Sequence, residues 1–243
     1  YMYITINDRF DETFRLAYSK TEICKSIDEI DHKIFRYVLS QNAEAIREKN
    51  QGRGLELLSM ADIPGGTGLG SSSTFTVGLL HAMKAHLGVF QSAEQLAAEA
   101  SRIEIEELGE PIGKQDQYAA AYGGLQFFRF HPSGQVSADP VICSQRSRNE
   151  LEASMMLFYT GQTRSASKVL SEQKSNAQKN RENLREMAKL AYQAKASLEQ
   201  GRPIKNFAEI LHQGWELKRT LAAGISASEI DLQYERARRA GAL

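Results

Sequence analysis

Four glycines fall within six residues, Gly65-Gly66-Thr67-Gly68-Leu69-Gly70. An apolar run from Leu55 to Met60 precedes them and reads as a strand; a second, from Phe75 to Leu87, follows and reads as a helix. A strand, a glycine loop and a helix in succession restrict this part of the chain to a mixed α and β architecture. With few Cβ atoms in the way, a ligand can approach the loop backbone closely. The helix start turns its free N–H groups and its positive end toward the same point. That is an anion site, and the usual anion is phosphate. Ser71, Ser72 and Ser73 add hydroxyls that reach a metal or a phosphate oxygen.

Two familiar phosphate loops do not fit. A Walker A loop needs Lys after its last glycine, where Ser71 stands. A dinucleotide fingerprint needs G-x-G-x-x-G and an acidic residue about 20 positions on. Here the glycines run G-x-G-x-G from Gly66 to Gly70, with no clear acidic partner. From the loop alone, a tight turn leading into a capped helix is an equal reading.

Partners are narrowed by charge. Thirty basic and 30 acidic residues leave a formal net charge of zero, so the basic excess of a nucleic-acid surface is missing. No apolar run approaches the length of a membrane span. Cys24 and Cys143 lie too far apart for a metal or redox motif and read as reduced thiols, which favours a cytoplasmic protein.

Periodicity and punctuation place the remaining elements. Strands are expected over 1–6, 14–18 and 54–61, and helices over 32–48 and 72–87. Ser92-Ala93-Glu94-Gln95 is a capping box for a helix running to about Leu108. A hairpin is expected over 123–142, turning at His131-Pro132-Ser133-Gly134. A further strand is expected over 151–159, then helices over 167–200, from Pro203 to near Gly224, and from a cap at Ser226-x-x-Glu229. A boundary near the polar stretch 144–150 divides the chain into a first domain, 1–147, and a helix-rich second domain, 148–243.

Pro64-x-x-x-Gly68-Leu69-Gly70-Ser71-Ser72-Ser73 resembles the phosphate loop of the GHMP small-molecule kinases, with Ser73 where Ala is more usual. A second mark lies in Glu104-Ile105-Glu106-Glu107-Leu108-Gly109-Glu110-Pro111-Ile112-Gly113-Lys114-Gln115-Asp116-Gln117-Tyr118. Within the family the likeness is nearest to the bacterial heptose 7-phosphate kinases. It is carried by Ser59 to Pro64, Gly109 to Gly124 and Tyr159 to Arg164. The resemblance implies an α+β, two-domain fold: a mixed sheet-and-helix N-terminal domain holding the phosphate loop, a helix-rich C-terminal domain, and the active site between them. Members begin with an Arg and glycine-run segment and end with a third glycine motif. A chain running from Tyr1 to Leu243 is therefore expected to be incomplete at both ends.

The resemblance also implies roles. Pro64, Gly65, Gly66, Thr67, Gly68, Leu69, Gly70, Ser71, Ser72 and Ser73 would cradle the ATP phosphates. Glu104 with Ser72, or Ser71 in a shifted register, would hold Mg2+. Asp116 would be the general base for the acceptor hydroxyl, with the cation of Lys114 nearby. Lys114 and Arg164 would contact the substrate, since an Arg fork suits a phosphate. Each has an ordinary alternative: Ser72 as an N-cap, Glu104 as a solvated helix residue, Asp116 as a helix-start carboxylate, Arg164 as a surface residue. The expected function is an ATP-dependent sugar kinase acting on the anomeric hydroxyl of a heptose 7-phosphate. A fucose- or galactose-type kinase and a non-catalytic sugar/ATP sensor are the alternatives. The expected partner is a small sugar phosphate, with neither nucleic acid nor membrane, and a homodimer is compatible.

Overall fold

The structure, a computed structural model, describes residues 1–161 and 166–243, with the side chains of 166–168 excepted. The chain divides into two compact units, Tyr1–Gly124 and Leu125–Leu243.

The first unit grows from strand alternation. In β1 (Met2–Asp8), Met2, Ile4 and Ile6 pack toward the core while Tyr3 and Thr5 face solvent. β4 (Leu55–Ala61) pairs antiparallel with it, Ile6 opposite Leu57, and buries Leu55 and Leu57 completely. β2 (Phe14–Ala17) lies parallel to β4 on its other side and pairs antiparallel with β3 (Thr21–Cys24), giving the order β1-β4-β2-β3. Strand β3 is not expected from the sequence. Its inward residues are Glu22 and Cys24, so a charge interrupts the apolar alternation. Glu22 is buried because the Tyr18 hydroxyl and the Asp31 N–H both donate to it.

Helices cover the inner face of this sheet. The single helix expected over 32–48 is two, α1 (Lys33–Gln41) and α2 (Ala43–Asn50). The break falls at Asn42, whose side-chain amide donates to the Val38 carbonyl at 2.7 Å and competes with the helix ladder. Helix α3 (Ser71–His86) lies so close on β1 that a Cβ on Gly78 would come within 3.2 Å of Ile4. Phe35, Leu39, Phe75, Leu79, Leu80 and Met83 fill the space between sheet and helices. Fully burying each such side chain contributes roughly 1.5–3 kcal/mol. The capping box at Ser92 and Gln95 starts α4 (Ala93–Arg102), as expected, and a π-turn over Ile103–Glu107 continues it. A loop then leads to α5 (Gln115–Tyr122).

The second unit opens with the expected hairpin, β5 (Gln126–Phe130) and β6 (Val136–Pro140), closed at Gly134, whose φ is +88°. The strand expected over 151–159 is not formed. Residues 145–154 are helix α6 (Gln145–Ser154), because Ser144 accepts from the Ser147 N–H and the polar residues Gln145 and Asn149 bond across one turn. The apolar run Met155 to Tyr159 has no regular structure, and its residues are between 64% and 79% exposed. Helices α7 (Ala166–Ser175) and α8 (Arg181–Glu199) occupy the expected 167–200 helical segment, with a break between them. Pro203 is the N-cap of α9 (Ile204–Lys218), which stops six residues before Gly224. Ser226 does not cap α10 (Ser228–Arg239). The N-cap is Ala227, and the Ser226 hydroxyl donates to Asp231 at 2.7 Å instead. Leu221, Ala222 and Ile225 form a small core with Val169, Leu184, Met187 and Trp215.

Candidate functional site

The loop from Ile63 to Gly70 leaves the end of β4 and enters α3. Gly66, Gly68 and Gly70 all have φ near +70° to +77°, the left-handed region that side chains strain to reach. The Thr67 hydroxyl donates to the Pro64 carbonyl at 3.1 Å and closes the loop on itself. Gly70 is the N-cap of α3, so no side chain there accepts from the first turn, and that turn has no acidic residue. The N–H groups that a helix start must otherwise satisfy are left for an anion.

Asp116 lies in the first turn of α5. A Cβ added to Gly70 would come within 3.1 Å of both Cγ and Oδ2 of Asp116. The carboxylate therefore rests against the last loop glycine, where α3 begins. Lys114, the residue preceding α5, makes no ion pair with it among the described residues.

Glu104 departs from the solvated helix residue that a lone Glu usually is. The π-turn brings it inward beside Ile103, and it is only 1% exposed. Ser72 donates its hydroxyl to Oε1 at 2.8 Å, and Gln117 donates Nε2 to Oε2 at 2.6 Å. No Lys, Arg or His pairs with Glu104 among the described residues. Both donors are neutral, so the hydrogen bonds to Glu104 bring no cation with them. Among the described residues no cluster of three or more His, Cys, Asp and Glu is present. One carboxylate and one hydroxyl are too few for Zn2+ but suit Mg2+, which takes few protein ligands and completes its shell with phosphate and water oxygens.

Ser73 is buried, whereas Ser72 is exposed. A cavity of about 230 Å³ beside Ser72 and Glu104 is walled by His32, Lys33, Ile34, Leu108 and Glu110. Sequence reasoning singled out neither His32 nor Lys33 for this place. Only the packing of the α1 start beside the loop reveals them. Gln117 was also missed; the sole sequence clue was its position next to Asp116. Arg164 lies outside the described residues. A hollow of about 310 Å³ between α8 and α9 carries different chemistry. Its His212 is engaged by the Tyr234 hydroxyl at 2.5 Å, and no glycine loop borders it.

Residues 36–124, which hold the loop, Glu104 and Asp116, match the model of the GHMP kinases N terminal domain. The chain belongs to the GHMP kinase family. It is 32% identical over 181 residues to D-glycero-alpha-D-manno-heptose 7-phosphate kinase of Campylobacter jejuni, covering 74% of this chain and 53% of that protein. It is 26% identical over 191 residues to the bifunctional fucokinase/GDP-fucose pyrophosphorylase of Arabidopsis thaliana, covering 75% of this chain and 18% of that one. This GHMP kinase chain thus spans about half, or less, of the curated relatives it matches. Among solved structures, a D-glycero-D-manno-heptose 1-phosphate kinase from Bacteroides thetaiotaomicron superposes with a TM-score of 0.75 at 26% identity. The match covers 98% of this chain and 79% of that one. The two-domain α+β fold of the GHMP kinases is the fold of this chain. Among the described residues, no helix is long and apolar enough to cross a membrane.

Proposed function

We propose that the protein is an ATP-dependent sugar kinase that phosphorylates the anomeric hydroxyl of a heptose 7-phosphate. The observation that carries this reading is the Asp116 carboxylate resting on Gly70, at the start of a helix with an open N-terminus. The loop from Pro64 to Ser72 binds the ATP phosphates through its N–H groups and the positive end of α3. Glu104 and Ser72 hold Mg2+. When bound, the ion neutralises phosphate charge. The acceptor hydroxyl attacks the γ-phosphorus. As the new O–P bond forms and the bond to ADP breaks, the hydroxyl proton passes to Asp116. Lys114 is proposed as a substrate contact, and Arg164 as a residue that holds a phosphate, on the sugar or on the nucleotide, through its fork of donors.

The heptose assignment draws on two relatives whose descriptions agree on the sugar and differ on its phosphate, 7-phosphate in one and 1-phosphate in the other. A fucose-type acceptor is the second reading, favoured by the likeness to a plant fucokinase. An intact Glu104 and Asp116 weigh against a sensor without turnover. Phosphorus NMR of the product decides the acceptor, using the complete protein with Mg-ATP and a heptose 7-phosphate. The expected product carries an anomeric phosphate beside the existing one. Faster turnover of fucose or galactose would overturn the heptose reading and leave the kinase reading standing.

A further inference from the structure

Asp116 and Gln117 are adjacent on α5 but point to different places. Asp116 rests against the glycine loop, whereas Gln117 is completely buried and reaches Glu104. A carboxylate only accepts hydrogen bonds, so the Gln117 group facing it must be the NH2. That choice leaves Gln117 Oε1 buried without a hydrogen-bond partner among the described residues. Leaving a buried polar oxygen unpaired is unfavourable, and an apolar side chain of the same length would avoid it. What the glutamine alone supplies is a neutral donor to Glu104.

The two donors divide the carboxylate between them, with Ser72 on Oε1 and Gln117 on Oε2. Both fix its plane, and neither carries a charge that would cancel it. A lysine or arginine in place of Gln117 would orient Glu104 equally well and neutralise it. We propose that Gln117 is a positioning residue: it locks the Glu104 carboxylate toward Ser72 while leaving its full charge available to a divalent cation. One turn of α5 then sets the proton acceptor and the metal-facing carboxylate together. This inference rests on the reading of Glu104 as the magnesium residue.

The test uses Gln117→Met and Gln117→Asn in the complete protein. Met keeps length without a donor; Asn keeps the amide but is one methylene too short. The first readout is binding rather than turnover: calorimetric affinity for ATP with and without Mg2+. The gain in affinity that Mg2+ confers should shrink in both variants. Loss of such a supporting contact lowers metal affinity by roughly 10–100-fold. The Mg2+ concentration for half-maximal turnover should rise over the same range, with KM for the sugar unchanged. Gln117→His, whose ring N–H reaches the same oxygen, should restore most of the affinity. A lower melting temperature with unaltered magnesium dependence in the Met and Asn variants would reduce Gln117 to a packing residue. Glu104→Gln separates the two levels. If it changes magnesium dependence and the Gln117 variants do not, only this inference falls. If Glu104→Gln leaves magnesium dependence unaltered, the metal reading falls and takes this inference with it.

Discussion

Helices α4 and α3 begin in opposite ways. At α4 the Ser92 hydroxyl accepts from the Gln95 N–H at 3.2 Å, and the Gln95 side chain accepts from the Ser92 N–H at 2.8 Å. That start is closed by its own residues. At α3 the capping position is Gly70, which has no side chain, and the loop before it lies open to solvent. Both starts follow a turn and lead a helix with a buried face, so helix formation alone does not demand the difference. A glycine in place of a capping side chain gives up only about a few tenths of a kcal/mol. The compensation is a point where N–H groups, a helix dipole and the Asp116 carboxylate meet. At α4 the start is closed by its own side chains, whereas at α3 it is left open beside Asp116.

The sharpest way to break this contrast is at the open end. Asp116→Asn keeps shape and removes the proton acceptor. Turnover should fall by roughly 10²–10⁴-fold, or about 2.7–5.4 kcal/mol of barrier, with ATP affinity little changed. Glu104→Gln should differ in kind, because its defect eases at high Mg2+ while that of Asp116→Asn does not. A steady-state magnesium titration of both variants checks this. An Asp116→Asn enzyme keeping more than about a tenth of its turnover would return Asp116 to an ordinary helix-start carboxylate.

Gly70→Ala comes next in size. The new Cβ meets a φ of +69° and a carboxylate 3.1 Å away. The backbone strain alone should lower stability by about 1–2 kcal/mol, read from the denaturant midpoint, and displacing Asp116 should lower turnover as well. Gly70→Asn divides the two effects, since Asn tolerates the left-handed region but still pushes on Asp116. Its stability should recover while its turnover does not. Wild-type turnover in both variants would mean that Asp116 does not work from this place.

Much of the open end was legible because its signals are local. Glycine density and flanking apolar runs are read within a few residues, and the strand and helix they mark appear where the sequence placed them, as does the capping box at the closed start of α4. Charges buried by tertiary packing were not legible. Glu22 faces inward on β3 and hides a strand, and Glu104 turns inward because a π-turn shifts the helix register. Gln117 shows no motif of its own, since its role depends on a residue thirteen positions away. The 151–159 stretch failed in the other direction. Its apolar letters suggested a strand, but a serine cap and polar i, i+4 pairing carried residues 145–154 into a helix.

At the closed end the expected effect is smaller and of a different type. Ser92→Ala opens the capping box and should cost about 1 kcal/mol of stability. It should leave ATP affinity and turnover unaltered, because no nucleotide group meets that helix start. Thermal unfolding with and without Mg-ATP checks both halves. Weaker ATP binding by Ser92→Ala would erase the distinction between the two starts.

A third start, that of α1, is closed by a group that titrates. The Phe35 N–H donates to His32 Nδ1 at 3.4 Å, which requires that nitrogen to be unprotonated. Burial pushes the His32 pKa below its ordinary value; Glu22 opposes the shift and Lys20 adds a little to it. The folded state therefore binds this proton less readily than the unfolded chain does. The sign follows: His32 is neutral in both states above the ordinary histidine pKa of about 6.5, and stability is lost as pH falls from there toward the lowered folded value. His32→Asn keeps a capping acceptor without a proton to gain. Unfolding measured across pH 5 to 8, on either side of that reference pKa, should show a shallower acid loss in His32→Asn than in wild type. Equal slopes in the two proteins would mean that His32 closes α1 by packing against Phe35 and Phe75 rather than by accepting a proton-sensitive bond.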